Sequence, residues 1–354
     1  MMKLNNLLQQ NNLDGILLTN KYNLRYFTSF TGTTGFALVT KTGRYFFSDF
    51  RYKEQATNQV TPRGFEFVLW DRSMKSVAEF LKKNEVKRLG IEDQDVTLSY
   101  YNNLKTEFEG VELVALEDKV SKTRMIKTEE EIENIKEAVR IADIAFSKIL
   151  EKVKEGAKEK DLSAEIEYIM KLNGAEDKSF DFIVASGYRS AMPHGVASDK
   201  TIEKNEFVTF DFGCYYNGYA SDITRTIFFG DEITEKHKEI YNTVLEAQLL
   251  AISKAKAGMK ASELDKVARD YITEKGYGEY FGHGLGHALG LEIHEQPFVS
   301  KIGDIVLEEN MVVTIEPGIY IEGFGGVRIE DDVIIKKDGC EVLNKSPKEL
   351  LILK

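Results

Sequence analysis

Thr209-Phe210-Asp211-Phe212-Gly213-Cys214-Tyr215 recurs later in the chain as Thr314-Ile315-Glu316-Pro317-Gly318-Ile319-Tyr320. Thr, acid, Gly and Tyr return in the same order, and Gly218-Tyr219 and Gly323-Phe324 extend the match. A second acid follows each copy, Asp222 in the first and Glu330 in the second. Two copies of one strand-turn-strand unit can bring four carboxylates to one place, and such a place suits cations.

Side chains alternate across a strand, so Thr209 and Asp211 share one face while Val208, Phe210 and Phe212 take the other. The same alternation places Thr314 and Glu316 opposite Val313 and Ile315, and Arg328 and Glu330 opposite Val327 and Ile329. Asp222 opens the similar run Ile223-Thr224-Arg225-Thr226-Ile227. Acids flanked this closely by apolar residues are expected to be buried. A lone Asp or Glu on a half-exposed strand normally faces water, but four in paired repeats beside glycine turns do not fit that pattern. Few Arg or Lys lie in these strands to pair with them, so a cation is the better partner. With His287 the set becomes Asp211, Asp222, His287, Glu316 and Glu330. Oxygen donors with one imidazole and no thiolate favour Mn²⁺, with Co²⁺, Zn²⁺ or Fe²⁺ as alternatives. Five ligands exceed what one tetrahedral ion needs and suit two divalent metal ions ~3.5–4 Å apart, bridged by carboxylates and a water.

Outward from the strands, the helices repeat as well. Thr128 and Glu131 form a capping box ahead of Ile132, Ile135, Val139, Ala142 and Phe146 at helical period. A shorter helix is expected from 162 to 172, ending at Gly174. The pair returns from 234 to 257 and from 262 to 275, closed by Gly258 and Gly276. Residues 124–354 therefore read as an internally duplicated α+β domain. Residues 1–120 read as a smaller α/β domain, with short apolar strands at Gly15-Ile16-Leu17-Leu18, Gly35 to Val39 and Tyr45-Phe46-Phe47. The polar stretch 118–127 is the expected linker.

A chain of 354 residues suits two domains. Its net charge of −11 argues against nucleic acid as a partner and gives no pull toward anionic membranes. No apolar run approaches the ~20 residues of a membrane span. Met1-Met2-Lys3-Leu4-Asn5-Asn6 turns polar before a signal-peptide core forms, so a cytoplasmic location is expected. Cys214 and Cys340 are too few for a disulfide framework and read as small buried hydrophobes.

Four of the five histidines sit in glycine-rich places, Pro193-His194-Gly195 and the run from Gly282 through His283, Gly284, Gly286, His287 and Gly290 to His294. These glycines suggest backbone held close to a bulky or charged group. The run lacks the GxGxxG spacing of a dinucleotide loop. His237, on a polar helical stretch, reads as a solvated surface residue.

These residues resemble the pita-bread metallopeptidases, in particular the proline-specific branch of aminopeptidase P and prolidase. The likeness rests on Asp211-Phe212-Gly213, Ser221 to Thr226, His283-Gly284-Leu285-Gly286-His287, Thr314 to Tyr320 and Gly326 to Asp331. In the N-terminal part it rests on Tyr26 to Gly32 and Asp49-Phe50-Arg51-Tyr52. The resemblance implies a creatinase-like α/β N-terminal domain and a pita-bread (creatinase/aminopeptidase) catalytic domain with internal pseudo-twofold duplication. It implies a dinuclear site in which Asp211 chelates one ion, Asp222 and Glu330 bridge both, and His287 and Glu316 complete the other. A bridging hydroxide would attack the peptide carbonyl, with Glu316 shuttling its proton. His194, His283 and His294 would face a proline-containing peptide substrate, and Arg328 would orient or neutralise carboxylates. The family also implies a homodimer. Methionine aminopeptidase shares the five ligands but lacks the N-terminal domain, and creatine amidinohydrolase shares both domains but not the ligand set. A catalytically dead pita-bread module used for protein binding typically loses ligands, and none is lost here. After His294-Glu295-Gln296-Pro297, where several prolidases place an arginine suited to a dipeptide's carboxylate, this chain has Phe298.

Overall fold

The structure, a computed structural model, describes residues 2–354. The chain divides between Arg124 and Met125 into two compact units. The first carries a six-stranded mixed sheet in the order Glu66–Leu69, Arg44–Ser48, Phe36–Thr40, Gly15–Leu18, Arg88–Ile91, Glu112–Ala115. Gly15–Leu18 is central, antiparallel to Phe36–Thr40 and parallel to Arg88–Ile91, and all four of its residues are buried. Apolar cores lie on both faces, as a strand read as a continuous apolar run requires.

The second unit is built twice over. Glu129–Ile149 begins with the Thr128–Glu131 capping box and is followed by Glu159–Leu172. Both pack on a sheet containing Ile183–Ser186, Glu206–Phe212 and Ile223–Phe229, with Val208, Phe210, Phe212, Ile223 and Ile227 in the shared core. Glu235–Lys254 and Ala261–Glu274 pack in the same way on Gly286–Ala288, Val312–Ile315 and Asp331–Lys336, burying Val313, Ile315, Val333 and Ile335. Each half buries the face that alternation assigned to it and leaves its acids on the other.

The pairing differs between the halves. Asp211 lies opposite Thr224, whereas Ile315 lies opposite Asp331 and Thr314 opposite Asp332. The sequence repeat is thus not a register repeat. Two glycines allow the close approach this requires: a Cβ on Gly213 would strike the Ser221 carbonyl, and one on Gly286 would strike that of Thr314. Gly282, by contrast, stands in open space, so the expectation of crowding fails there.

His237 is the clearest departure from the sequence reading. It is buried, completes a capping box in which the Thr234 N–H donates to its Nδ1 at 3.2 Å, and stacks on Phe324 at 4.6 Å. Its charged neighbours Lys236 and Lys238 suggested solvent, while the imidazole turns inward to close the helix end. Cys214 is buried, but Cys340 is only half-buried, and neither is in a disulfide. Among the described residues no helix is long and apolar enough to cross a membrane.

Candidate metal centre

The acid faces of the two halves meet in a cleft of about 630 Å³ lined by Asp211, Asp222, His287, Glu316, Arg328 and Glu330, with His194, His283 and His294 also on its wall. Asp211 lies in the strand Glu206–Phe212, and Asp222 directly precedes Ile223–Phe229. Glu316 follows Val312–Ile315, and Glu330 sits between Gly325–Arg328 and Asp331–Lys336. All nine site residues named from the sequence therefore line one cleft.

Within it, ligand atoms of Asp222, His287 and Glu330 lie within 4.8 Å of one another. His287 Nε2 stands 3.4 Å from Glu316 Oε1 and 3.7 Å from Asp222 Oδ2. The other ring nitrogen, Nδ1, donates to the Ala288 carbonyl at 3.1 Å, which leaves the Nε2 lone pair facing the acids. Burial lowers the His287 pKa to about 3, so the ring is neutral, as a ligand must be.

The carboxylates are less settled. Glu330 accepts from Thr224 Oγ1 through Oε2 (2.6 Å), but its Oε1 is buried with no partner, as is Asp222 Oδ1. Burial and neighbouring negative charge push both acids well above the usual carboxylate range, and burial pushes Glu316 up to about 8. Asp211 is better provided for: Arg328 Nη2 donates to its Oδ2, although burial still raises it. Four carboxylates thus face one guanidinium. Buried acids with orphaned oxygens need either protons or a cation, and the donor set, mostly oxygen with one neutral imidazole, fits a divalent metal ion.

Arg328 is held charged despite its burial by Tyr320, Asp211, Glu316 and Glu330 around it. Its Nε donates to Thr224 Oγ1 at 3.0 Å and its Nη1 to Tyr320 Oη at 2.7 Å. Tyr320 Oη in turn lies 2.8 Å from His283 Nε2, and His283 Nδ1 lies 2.7 Å from the Gly284 carbonyl. Both nitrogens of His283 are therefore engaged. His194 and His294 are exposed in the cleft, with the His294 ring edge-on to His287 at 4.4 Å. Tyr320 and Thr224 were quoted in the sequence motifs without a role. The repeat of Tyr215 and Tyr320 was the available signal for the first, and the shared face of Thr224 with Asp222 was the signal for the second.

The profile of "Metallopeptidase family M24" matches residues 133–337, and that of "Creatinase/Prolidase N-terminal domain" matches residues 1–126. The chain belongs to metallopeptidase family M24. An M24 catalytic domain preceded by a creatinase-type N-terminal domain is its architecture, and divalent-metal use comes with the family. A Pyrococcus furiosus protein named Xaa-Pro dipeptidase is 44% identical, with 99% of this chain and 98% of that one aligned. The solved structure of an Xaa-Pro dipeptidase from Bacillus anthracis is 51% identical, covers 99% of this chain and 98% of its own, and superposes with a TM-score of 0.96. An X-Pro aminopeptidase from Thermotoga maritima is 40% identical over 97% of this chain and 98% of its own, with a TM-score of 0.90. This M24 member is a metallo-exopeptidase, a hydrolase.

The raised carboxyls fix the sign of a pH effect. An acid whose pKa is higher folded than unfolded keeps its proton in the native state after the unfolded chain has released it. Its stabilising share is therefore full at low pH and fades as pH rises toward the folded value. For Glu316 that window runs from about 4.5 to about 8. The metal-free protein is expected to lose stability across this window relative to the metal-loaded protein, and metal binding near pH 7 is expected to release at least about one proton. Calorimetric titration with Mn²⁺ in buffers of different ionisation enthalpy measures that number, and a value of zero would contradict it.

Proposed function

We propose that this chain is an Xaa-Pro peptidase that hydrolyses the bond before proline using two divalent metal ions. The observation that carries the reading is the buried cluster of Asp222, His287 and Glu330, with its orphaned oxygens, in one cleft with Asp211 and Glu316. The names of its relatives, Xaa-Pro dipeptidase and X-Pro aminopeptidase, supply the substrate class. Four ionised carboxylates against one guanidinium leave three negative charges, which two divalent ions and one hydroxide balance.

Asp211, Asp222, His287, Glu316 and Glu330 would hold the ions, with Asp222 and Glu330 as bridges. When bound, the ions supply a bridging hydroxide as nucleophile and polarise the scissile carbonyl. Glu316, whose burial favours its protonated form, would take the proton released in the attack and return it to the leaving nitrogen. His194 and His294 would bind the peptide and the developing oxyanion. His283 would support Arg328 through Tyr320, and would reach the peptide itself only by giving up that hydroxyl. Arg328 would hold Asp211 in place. An Xaa-Pro bond has no N–H, and a site that acts through the carbonyl asks nothing of that hydrogen.

The hard donor set favours Mn²⁺. Both cysteines are free, as in a reducing cytoplasm, and the resemblance carries a homodimer with it. One observation favours longer peptides over dipeptides. Among the described residues lining the cleft, Arg328 is the one arginine or lysine, and it is already paired with Asp211. Phe298, 44% exposed, stands at the rim where a carboxylate-binding cation would be useful. With Mn²⁺ restored to chelator-treated protein, Xaa-Pro-Yaa tripeptides are expected to give a kcat/KM at least as high as Xaa-Pro dipeptides. A strict dipeptide preference would refute that choice, and no metal-dependent cleavage of either would refute the peptidase reading.

A further inference from the structure

Arg225 lies in the strand Ile223–Phe229 but not on the cleft wall. Its side chain is 1% exposed, and its five N–H groups find five acceptors. Nε donates to the Pro347 carbonyl at 3.0 Å, Nη1 to the carbonyls of Thr224 (2.9 Å) and Glu330, and Nη2 to Asp331 Oδ1 (2.7 Å) and the Ser346 carbonyl (2.9 Å). The Thr224 carbonyl also accepts the Glu330 N–H at 3.1 Å, and Thr224 Oγ1 donates to the Glu330 carboxylate. Thr224 and Arg225 together therefore hold Glu330 by its N–H, its carbonyl and its carboxylate.

The other side of the fork grips the C-terminal segment 344–348. That segment reaches the two acids after Glu330 independently of Arg225. Lys348 Nζ donates to Asp331 Oδ2 at 2.7 Å, and Asn344 Oδ1 accepts the Asp332 N–H at 2.7 Å. Asp332 Oδ2 in turn accepts the Asp222 N–H at 3.0 Å. From the far side, Asp143 accepts from the N–H groups of Lys345 and Ser346 and from the Ser346 hydroxyl. Thus the backbones of both proposed bridging acids are tied, each through two hydrogen bonds, to one C-terminal strap.

We propose that Arg225 is a positioning residue for the metal centre, and that the strap it grips sets the spacing of Asp222 and Glu330. The inference rests on the two-metal reading above. Carboxylates that repel one another while metal-free need backbone anchors to keep a spacing that ions can bridge, and outer contacts of this kind typically govern affinity by about 10–100-fold. A lysine at 225 keeps the charge but has three donors on a flexible stem and cannot reproduce the fork.

The test measures Mn²⁺ binding by calorimetric titration on the full chain carrying Arg225→Lys or Lys348→Gln, with the melting of each variant in chelator recorded alongside. Arg225→Lys is expected to weaken Mn²⁺ binding by about 10–100-fold, and Lys348→Gln, which loses one strap contact, by about 10-fold, the lower end of that range. Lower melting with unchanged Mn²⁺ affinity in both would overturn the proposal and leave Arg225 a purely structural bridge. Should Arg225→Lys fail to fold, Lys348→Gln decides alone: weaker binding supports the strap and unchanged binding overturns it. Wild-type protein that takes up no Mn²⁺ would sink the metallopeptidase mechanism itself, an outcome distinct from normal uptake by wild type and variants alike.

Discussion

Replacing Glu330 by glutamine is expected to lower turnover of an Xaa-Pro peptide at saturating Mn²⁺ by on the order of 10³-fold or more, since loss of a bridging ligand removes several kcal/mol of transition-state stabilisation. Asp222→Asn should do the same. The two positions are chosen because each carries a buried oxygen with no hydrogen-bond partner, Glu330 Oε1 and Asp222 Oδ1. Most buried side-chain oxygens find a partner within the protein, and these two also line the cleft beside the other acids. The substitutions should also move stability in the opposite direction to activity. Burial and like charge raise both carboxyls, so removing the ionisable group relieves the metal-free protein at neutral pH. A gain of about 1 kcal/mol corresponds to a rise in melting temperature of roughly 2–4 °C for a unit of this size. Inactive protein that melts higher in chelator identifies a functional carboxylate, a trade expected where a site is strained for its chemistry. Most of the turnover retained at full metal occupancy would refute the bridging assignment.

The acids were legible from sequence because alternation and repetition both survive folding. Period two places Asp211 with Thr209 and Glu316 with Thr314 whatever the partner strand is, and the cores of the two halves bury the complementary residues. Alternation says which face a residue takes but not which residue lies opposite. That is why the offset between the Asp211–Thr224 and Ile315–Asp331 pairings could not be read. Arg225 shows the same limit. It stands in a motif quoted for its neighbours, and four of its five acceptors come from Glu330, Asp331 and the segment 346–347, far along the chain. His283 was found by its glycines, but its engagement with Tyr320 depends on the hairpin of Gly318–Ile321 with Gly325–Arg328, which brings Tyr320 beside Arg328. Local pattern thus identified the residues that carry charge. The hydrogen bonds that restrain them are long-range and were beyond it.

Removing divalent metal with a chelator should abolish peptide cleavage, and adding Mn²⁺ should restore it. The reason lies in what the chain offers without an ion. His287 is neutral, His283 is likewise held neutral with a pKa lowered to about 4 by burial, and Arg328 already serves Asp211 and Tyr320. Among the described residues lining the cleft no other arginine or lysine is left to polarise a carbonyl at the acids, and a cluster of carboxyls that retain protons is a poor activator of water. Rebinding should stabilise the fold as well, because ions that bind only the native state add about 2.7 kcal/mol at a free concentration of 100 Kd. The gain should grow as pH rises from about 5.5 to about 8. Over that interval the metal-free protein pays increasingly for ionising Glu316, whose pKa is pushed up to about 8, while the loaded protein uses the same charge as a ligand. Paired melts with chelator or Mn²⁺ at several pH values measure this difference directly. A gain that stays flat or shrinks with pH would mean that the ions bind elsewhere than at these carboxylates, whatever their effect on activity.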